Sequence, residues 1–250
     1  MREFQDKVIV ITGAASGLGR ACAEQFAREG ALVCLVDKDE AGLMAVAASL
    51  PDSSSRCLTL SVDLSQRDAC IDVISRAVER FGGIDVLCNV AGVLGASHAT
   101  AVSEALWNLI MSVNLAAPFW LSQAAIPHLI SRKGNIVNVA SLTGLMGGAY
   151  VVPYSASKAG LIQMTKSLAM EFIHQPVRIN AVAPGGINTN IMKNESFPSD
   201  ADFALLARYA GIRPAAEPAD VADLIVYLAS DRARNIHGAC IATDGGASAG

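Results

Sequence analysis

Tyr154 and Lys158 stand four residues apart in Tyr154-Ser155-Ala156-Ser157-Lys158, so on a helix they share one face. A phenol beside an ammonium can transfer protons. The cation favours the phenolate, and at close range a partly desolvated ammonium can draw the phenol below its ordinary pKa of about 10. Ser141, at the carboxyl end of an apolar run before this pair, can donate a hydrogen bond to a substrate oxygen. Three such side chains could hold an oxygen atom and move its proton.

A second constellation lies at the other end of the chain. Thr12-Gly13-Ala14-Ala15-Ser16-Gly17-Leu18-Gly19 follows an apolar run and opens a helical pattern. Without Cβ atoms, a pyrophosphate can approach the backbone and the positive end of that helix. Gly13, Ser16, Gly17, Leu18 and Gly19 are therefore candidate cofactor contacts. Asp37 ends the next apolar run, where a carboxylate can accept hydrogen bonds from both ribose hydroxyls and repel a 2′-phosphate. That favours NAD over NADP, although Lys38 beside it could soften the repulsion.

These residues need a frame that gathers them at one edge. Apolar runs at 7–12, 32–36, 56–61, 84–89, 135–141, 177–182 and 239–243 predict strands. Helical spacing marks 17–29, 40–50, 66–80, 103–117, 118–131, 153–172 and 217–230. The strands are apolar at consecutive positions, as when helices cover both faces of a parallel sheet. The expected fold is one α/β domain over 1–250: a Rossmann-type, doubly wound, seven-stranded parallel sheet that binds ligands beyond the carboxyl ends of its strands. The stretch at about 186–214 is irregular and reads as an inserted substrate loop.

With the glycine turn, Asp37, Ser141 and the Tyr154/Lys158 pair in this order, the sequence resembles the short-chain dehydrogenase/reductase family along essentially its whole length. The resemblance implies an NAD(P)-dependent oxidoreductase that passes a hydride between nicotinamide and a secondary alcohol or ketone. It makes Tyr154 the acid/base, Ser141 the holder of the carbonyl oxygen, and Lys158 the ligand of the nicotinamide ribose. Asn114 would anchor a water that relays protons to Lys158. Asp63, followed by Leu64, would meet the adenine, and Pro184, Gly185, Ile187 and Thr189 would grip the carboxamide. Asn89, Ala91 and Gly92 match a cofactor-side segment of the family, except that Val90 replaces its second asparagine. The family also implies a homotetramer, built through the outer faces of helices 103–131 and 153–172 and through the C-terminal region.

Composition sets the outer limits. Hydrophobic residues make up 52% of the chain and charged residues 17%, enough apolar surface for a large core. A net charge of −4 with no basic run gives no reason to expect nucleic acid or an anionic membrane. The apolar stretch 106–130 is broken by Asn108, Asn114, Pro118, Gln123, Pro127 and His128, and reads as two buried helices rather than a membrane span. The N-terminus lacks signal-peptide features, so a cytoplasmic protein is expected. Cysteines 22, 34, 57, 70, 88 and 240 and histidines 98, 128, 174 and 237 show no ligand spacing, so no metal is assigned.

Other chemistries fit less well. No Gly-x-Ser-x-Gly elbow surrounds Ser141, which excludes the common serine-hydrolase pattern. The glycine spacing differs from that of sugar-nucleotide epimerases, and the intact Tyr154/Lys158 pair argues against a non-catalytic NAD-sensing regulator. Leu94, Leu142, Leu145, Met146, Val151, Ile187, Ile191 and Met192 predict an apolar substrate pocket. A neutral aliphatic or cyclic alcohol fits such a pocket, with a 3-oxoacyl thioester as the alternative.

Overall fold

The computed structural model describes residues 2–189, 197–207 and 213–249. Seven strands, β1 (Val8–Thr12), β2 (Leu32–Asp37), β3 (Cys57–Ser61), β4 (Val86–Asn89), β5 (Asn135–Val139), β6 (Arg178–Pro184) and β7 (Cys240–Thr243), form one sheet in the order β3-β2-β1-β4-β5-β6-β7. Every pairing is parallel. The expected doubly wound sheet is present.

Alternate residues of each strand feed two cores. On one face Ile9, Ile11, Val33 and Leu35 pack with helices α1 (Gly17–Arg28), α2 (Glu40–Ser49) and α9 (Pro218–Ala229), through Phe26, Leu43, Val46, Ile225 and Leu228. On the other, Val10, Cys34, Leu87 and Ile136 meet α4 (Arg67–Phe81), α6 (Ala117–Arg132) and α7 (Val152–Glu171), through Val73, Ile74, Leu121, Leu129 and Leu168. Burying a leucine or phenylalanine side chain fully contributes about 1.5–3 kcal/mol, so both helix layers are held firmly to the sheet. The rigid sheet then fixes where its carboxyl-end loops begin.

Among the described residues, two short α-helices were invisible in the apolar pattern: a single turn, α3 (Ser53–Arg56), and α8 (Phe203–Ala207) inside the irregular stretch. The two helices expected at 103–117 and 118–131 are one continuous helical path: α5 (Glu104–Met111), a π-helical turn (Ser112–Ala116) and α6. Pro118 lacks an N–H, and its ring is tolerated where the ladder changes register at the π/α junction. Nor is the path buried throughout. Ile110 is the buried residue of α5, whereas Trp107 and Leu109 are exposed. By length and composition the path could cross a bilayer; half of its most apolar window is buried in the domain.

Strand ends also moved. β4 begins at Val86, and just before it the Asp85 carboxylate accepts from the Val8 N–H at 2.8 Å and pairs with Lys7 and Arg132. β5 stops at Val139, which frees Ser141 to turn into the loop, and β6 runs on to Pro184.

Candidate active site

The carboxyl ends of β1, β2 and β4 build one half of a cavity of 1220 Å³. At the end of β1 the Thr12 hydroxyl accepts the N–H groups of Val90 and Ala91, each at 3.0 Å, and so stitches β1 to the loop after β4. Gly13 then turns at φ +69°, where a Cβ would lie 2.9 Å from the Ala91 Cα. A Cβ on Gly19 would overlap the Gly13 carbonyl oxygen. Ser16 caps α1 with extended backbone and makes no side-chain capping bond, so it leaves the first-turn N–H groups to other acceptors. Asp37 closes this half: its carboxylate accepts from Ala15 N at 3.1 Å and Asp39 N at 3.2 Å, which ties the end of β2 to the glycine turn.

The other half lies beyond β5 and β6. Ser141 Oγ accepts from Thr143 N at 3.2 Å and Thr143 Oγ1 at 3.1 Å, and it also hydrogen-bonds the phenol of Tyr154. One turn further along α7, Lys158 is buried with its Nζ donating to Val139 O at 2.8 Å. Burial pulls this ammonium from 10.5 down to about 8. The Tyr154 phenol moves against the sequence-based expectation. Burial raises it above its ordinary value, and the Ser141 hydrogen bond opposes that only in part. Lys158 Nζ, held by the β5 backbone, stands 5.7 Å from the Tyr154 ring centroid.

Asn114 projects from the π-helical turn. Its Oδ1 accepts from Val93 N at 2.8 Å, while its Nδ2 donates to Val93 O at 2.9 Å and to Ser157 Oγ at 3.2 Å. A Cβ on Gly92 would stand 3.4 Å from Lys158 Nζ and 3.5 Å from Asn114 Oδ1, so glycine keeps the space between those two groups open.

Sequence and structure comparisons place this architecture among known proteins. The family model described as short chain dehydrogenase matches residues 7–199. The chain belongs to the short-chain dehydrogenase family. Meso-2,3-butanediol dehydrogenase of Serratia marcescens is 39% identical, over 98% of this chain and 96% of that protein. A 3-ketoacyl-(acyl-carrier-protein) reductase from Brucella melitensis, solved with NADH, superposes with a TM-score of 0.86 at 28% identity, over 98% of this chain and 99% of that one. A short chain dehydrogenase from Burkholderia cenocepacia, solved with NADP, gives 0.88 at 29% identity over the same shares. The chain is thus a short-chain dehydrogenase acting on CH–OH groups with a nicotinamide dinucleotide. The Cβ-free turn at the end of β1 and the polar groups at the end of β5 fit such a cofactor at the two ends of the cavity.

For this short-chain dehydrogenase, most sequence-derived candidates meet in one place. Gly13, Ser16, Gly17, Leu18, Gly19, Asp37, Ala91, Gly92, Ser141, Tyr154, Lys158, Pro184, Gly185, Ile187 and Thr189 all line the cavity. Four others stand off its wall. Asn114 lies behind Gly92; Asn89 is buried and donates to Asn138 Oδ1 at 2.8 Å; Leu64 belongs to the core under α4. Exposed Asp63 accepts from the Ser65 N–H, which lowers its carboxyl pKa.

Of the predicted pocket residues, Leu94, Leu142, Val151 and Ile187 line the cavity. Leu145 is 46% exposed and, like Met146, lies off the wall. Ile191 and Met192 fall outside the described residues. Sequence reasoning missed Thr12, Thr143, Phe197, Phe203 and Leu206. It also missed the buried chain in which Asn138 Nδ2 donates to Thr165 Oγ1 at 2.9 Å. A polar residue inside an otherwise apolar strand, as at Asn138, was the available signal.

Proposed function

We propose that this chain is an NAD-dependent oxidoreductase interconverting a secondary alcohol and its ketone, with a neutral apolar or cyclic hydroxy compound as substrate. The observation that carries it is the meeting of the Tyr154 phenol and the Ser141 hydroxyl in a cavity that the Gly13–Gly19 turn shares. When bound, the nicotinamide supplies or accepts the hydride at the carbinol carbon. In the reducing direction Ser141 donates a hydrogen bond to the carbonyl oxygen, and the phenol of Tyr154, kept protonated by burial, gives that oxygen its proton. Lys158 holds the nicotinamide ribose, and Asn114 lines the route that returns a proton to Tyr154. Asp37 binds the adenosine ribose, which favours NAD. Asp63 and Leu64 edge the adenine, Asn89 braces the floor from behind, and 186–214 forms the substrate loop.

Leu94, Leu142, Val151, Phe197 and Leu206 support the apolar substrate class. One observation favours a second reading, reduction of 3-oxoacyl thioesters: Arg213 lies in the cavity wall against Gly245, a cation available to a phosphorylated carrier. Exposed Trp107, Leu109 and Met170 on the outer helices support a homotetramer. All six cysteines are unpaired, which goes with a reducing, cytoplasmic setting. Secondary alcohols, ketones and a 3-oxoacyl thioester, offered with NAD and with NADP while reduced nicotinamide is followed by absorbance, test the proposal. Turnover of neutral alcohols with NAD supports it, and no turnover on any compound overturns it.

A further inference from the structure

Three connections wall the substrate half of the cavity: Leu94 from the loop after β4, Leu142 and Val151 from the loop after β5, and Phe197, Phe203 and Leu206 from the segment 197–207. They come from separate parts of the chain, yet they meet at one corner. There His98 Nε2 hydrogen-bonds Asp200 Oδ1 at 2.8 Å, and the His98 ring packs edge-on against Tyr150, with centroids 5.3 Å apart. The Tyr150 hydroxyl accepts from the Asp202 N–H at 2.8 Å, and the Tyr150 carbonyl accepts from the Ser97 N–H at 2.8 Å. Each connection is therefore tied to the other two through a single pair of rings.

The backbone shows that this arrangement is held against a local preference. Tyr150 sits at φ +65°, a left-handed conformation that a bulky side chain adopts rarely and at a cost. In that conformation its hydroxyl reaches Asp202. The hydrogen bond from His98 also holds the Asp200 carboxyl below its ordinary pKa, so the two groups engage as an ion pair whenever the imidazole is protonated. The Asp202 carboxylate is occupied elsewhere, accepting from the Ala204 N–H at 2.8 Å at the start of α8.

We propose that His98 and Tyr150 are positioning residues: they clasp the segment 197–207 to the β4 and β5 loops and so set how tightly the apolar wall grips the substrate. Neither residue touches the reacting atoms. The inference rests on the cavity being the substrate site, as proposed above. Loosening the clasp spreads the wall carrying Phe197, Phe203 and Leu206 while leaving the Gly13–Gly19 turn and the Ser141–Tyr154 pair in place.

The test compares wild type with His98→Ala, Tyr150→Phe and Asp200→Asn on a substrate that the wild type turns over, with amide hydrogen exchange over 197–207 measured on the same proteins without substrate. His98→Ala removes both the ion pair and the ring contact, and should raise substrate KM about tenfold, the equivalent of one good hydrogen bond. Its kcat should change by less than about threefold, and its cofactor KM should hold, which separates the clasp from the chemistry. Tyr150→Phe, which loses one hydrogen bond and keeps the ring, should give a smaller rise. Asp200→Asn keeps an acceptor for a neutral imidazole and should recover most of the wild-type KM. Exchange over 197–207 should quicken in His98→Ala. Unchanged substrate KM and unchanged exchange in that variant overturn the clasp, and so does an equal rise in cofactor KM. If the wild type turns over nothing in the panel, that failure belongs to the proposed function, and exchange alone decides whether the clasp exists.

Discussion

Lys158 gives the sharpest test of the site's electrostatics. Its ammonium is buried and held by the Val139 carbonyl, and its pKa falls from 10.5 to about 8. That difference corresponds to about 3 kcal/mol of folding stability given up at neutral pH, where both folded and unfolded chains carry the charge. Between about 8 and 10.5 the unfolded chain binds more protons, so this group makes stability rise with pH in that window. From pH 7 to pH 9.5 the gain is about 2 kcal/mol. Lys158→Met keeps most of the packed stem and removes the charge, at the cost of one hydrogen bond, about 1 kcal/mol. The variant should therefore be more stable than wild type at pH 7 by about 2 kcal/mol, and that advantage should vanish near pH 9.5. Urea unfolding at fixed protein concentration, read as the difference between the two proteins at each pH, cancels the titration of the buried thiols. These work in the opposite sense, because burial raises Cys34 and Cys57. A difference that stays flat from pH 7 to pH 9.5 would refute the reasoning. The same variant should lose turnover, which marks the charge as kept for chemistry at the expense of stability.

The remaining tests address the proposed roles one by one. Tyr154→Phe should lower kcat by at least about 10²-fold while NAD still binds in a fluorescence titration; near wild-type turnover would remove Tyr154 from the mechanism. Because burial raises the Tyr154 phenol, wild-type alcohol oxidation should accelerate as pH rises above neutrality, and a rate profile flat from pH 7 to 10 would count against Tyr154 as the base. Asp37→Ala should weaken NAD by about one to two powers of ten and shift the kcat/KM ratio toward NADP; an unchanged ratio would end the ribose assignment. Gly19→Ala should abolish dinucleotide binding, since the added methyl meets the Gly13 carbonyl, and retained affinity by calorimetry would show that the turn is more pliable than its geometry implies.

The fold was legible because the signals that define it are local. Residues 8–11 and 32–36 are apolar at every position, and seven strand-like runs separated by helical stretches leave a parallel sheet covered on both sides. The glycine turn and the Tyr154/Lys158 spacing were legible for the same reason. What escaped depended on contacts distant in sequence. The burial of the Tyr154 phenol comes from tertiary packing that its spacing to Lys158 does not reveal, so the direction of its shift was misread. Pro118 stands in the first turn of α6, as its sequence position suggested, but the π-helical turn before it, which joins α6 to α5 without a break, has no signature of its own. Leu145 was placed in the pocket by its loop, and only the turn Leu142–Gly144 shows that its side chain faces outward.

The stitch between Thr12 and the N–H groups of Val90 and Ala91 also bears on how the protein is made. β1 leaves the ribosome before the other strands of the sheet, but it lies in the middle, between β2 and a strand that begins at Val86. The Thr12 hydroxyl waits for an amide 79 residues further along the chain. Until that segment emerges, one edge of β1 is bare and the glycine turn has no floor against which to bend. Contacts of such long sequence separation slow folding, so a nascent chain would pass through a stage in which its central strand is exposed and able to pair wrongly. The cofactor turn is encoded well before its floor, and it takes shape only once the 79 residues that separate Thr12 from Ala91 have been synthesised.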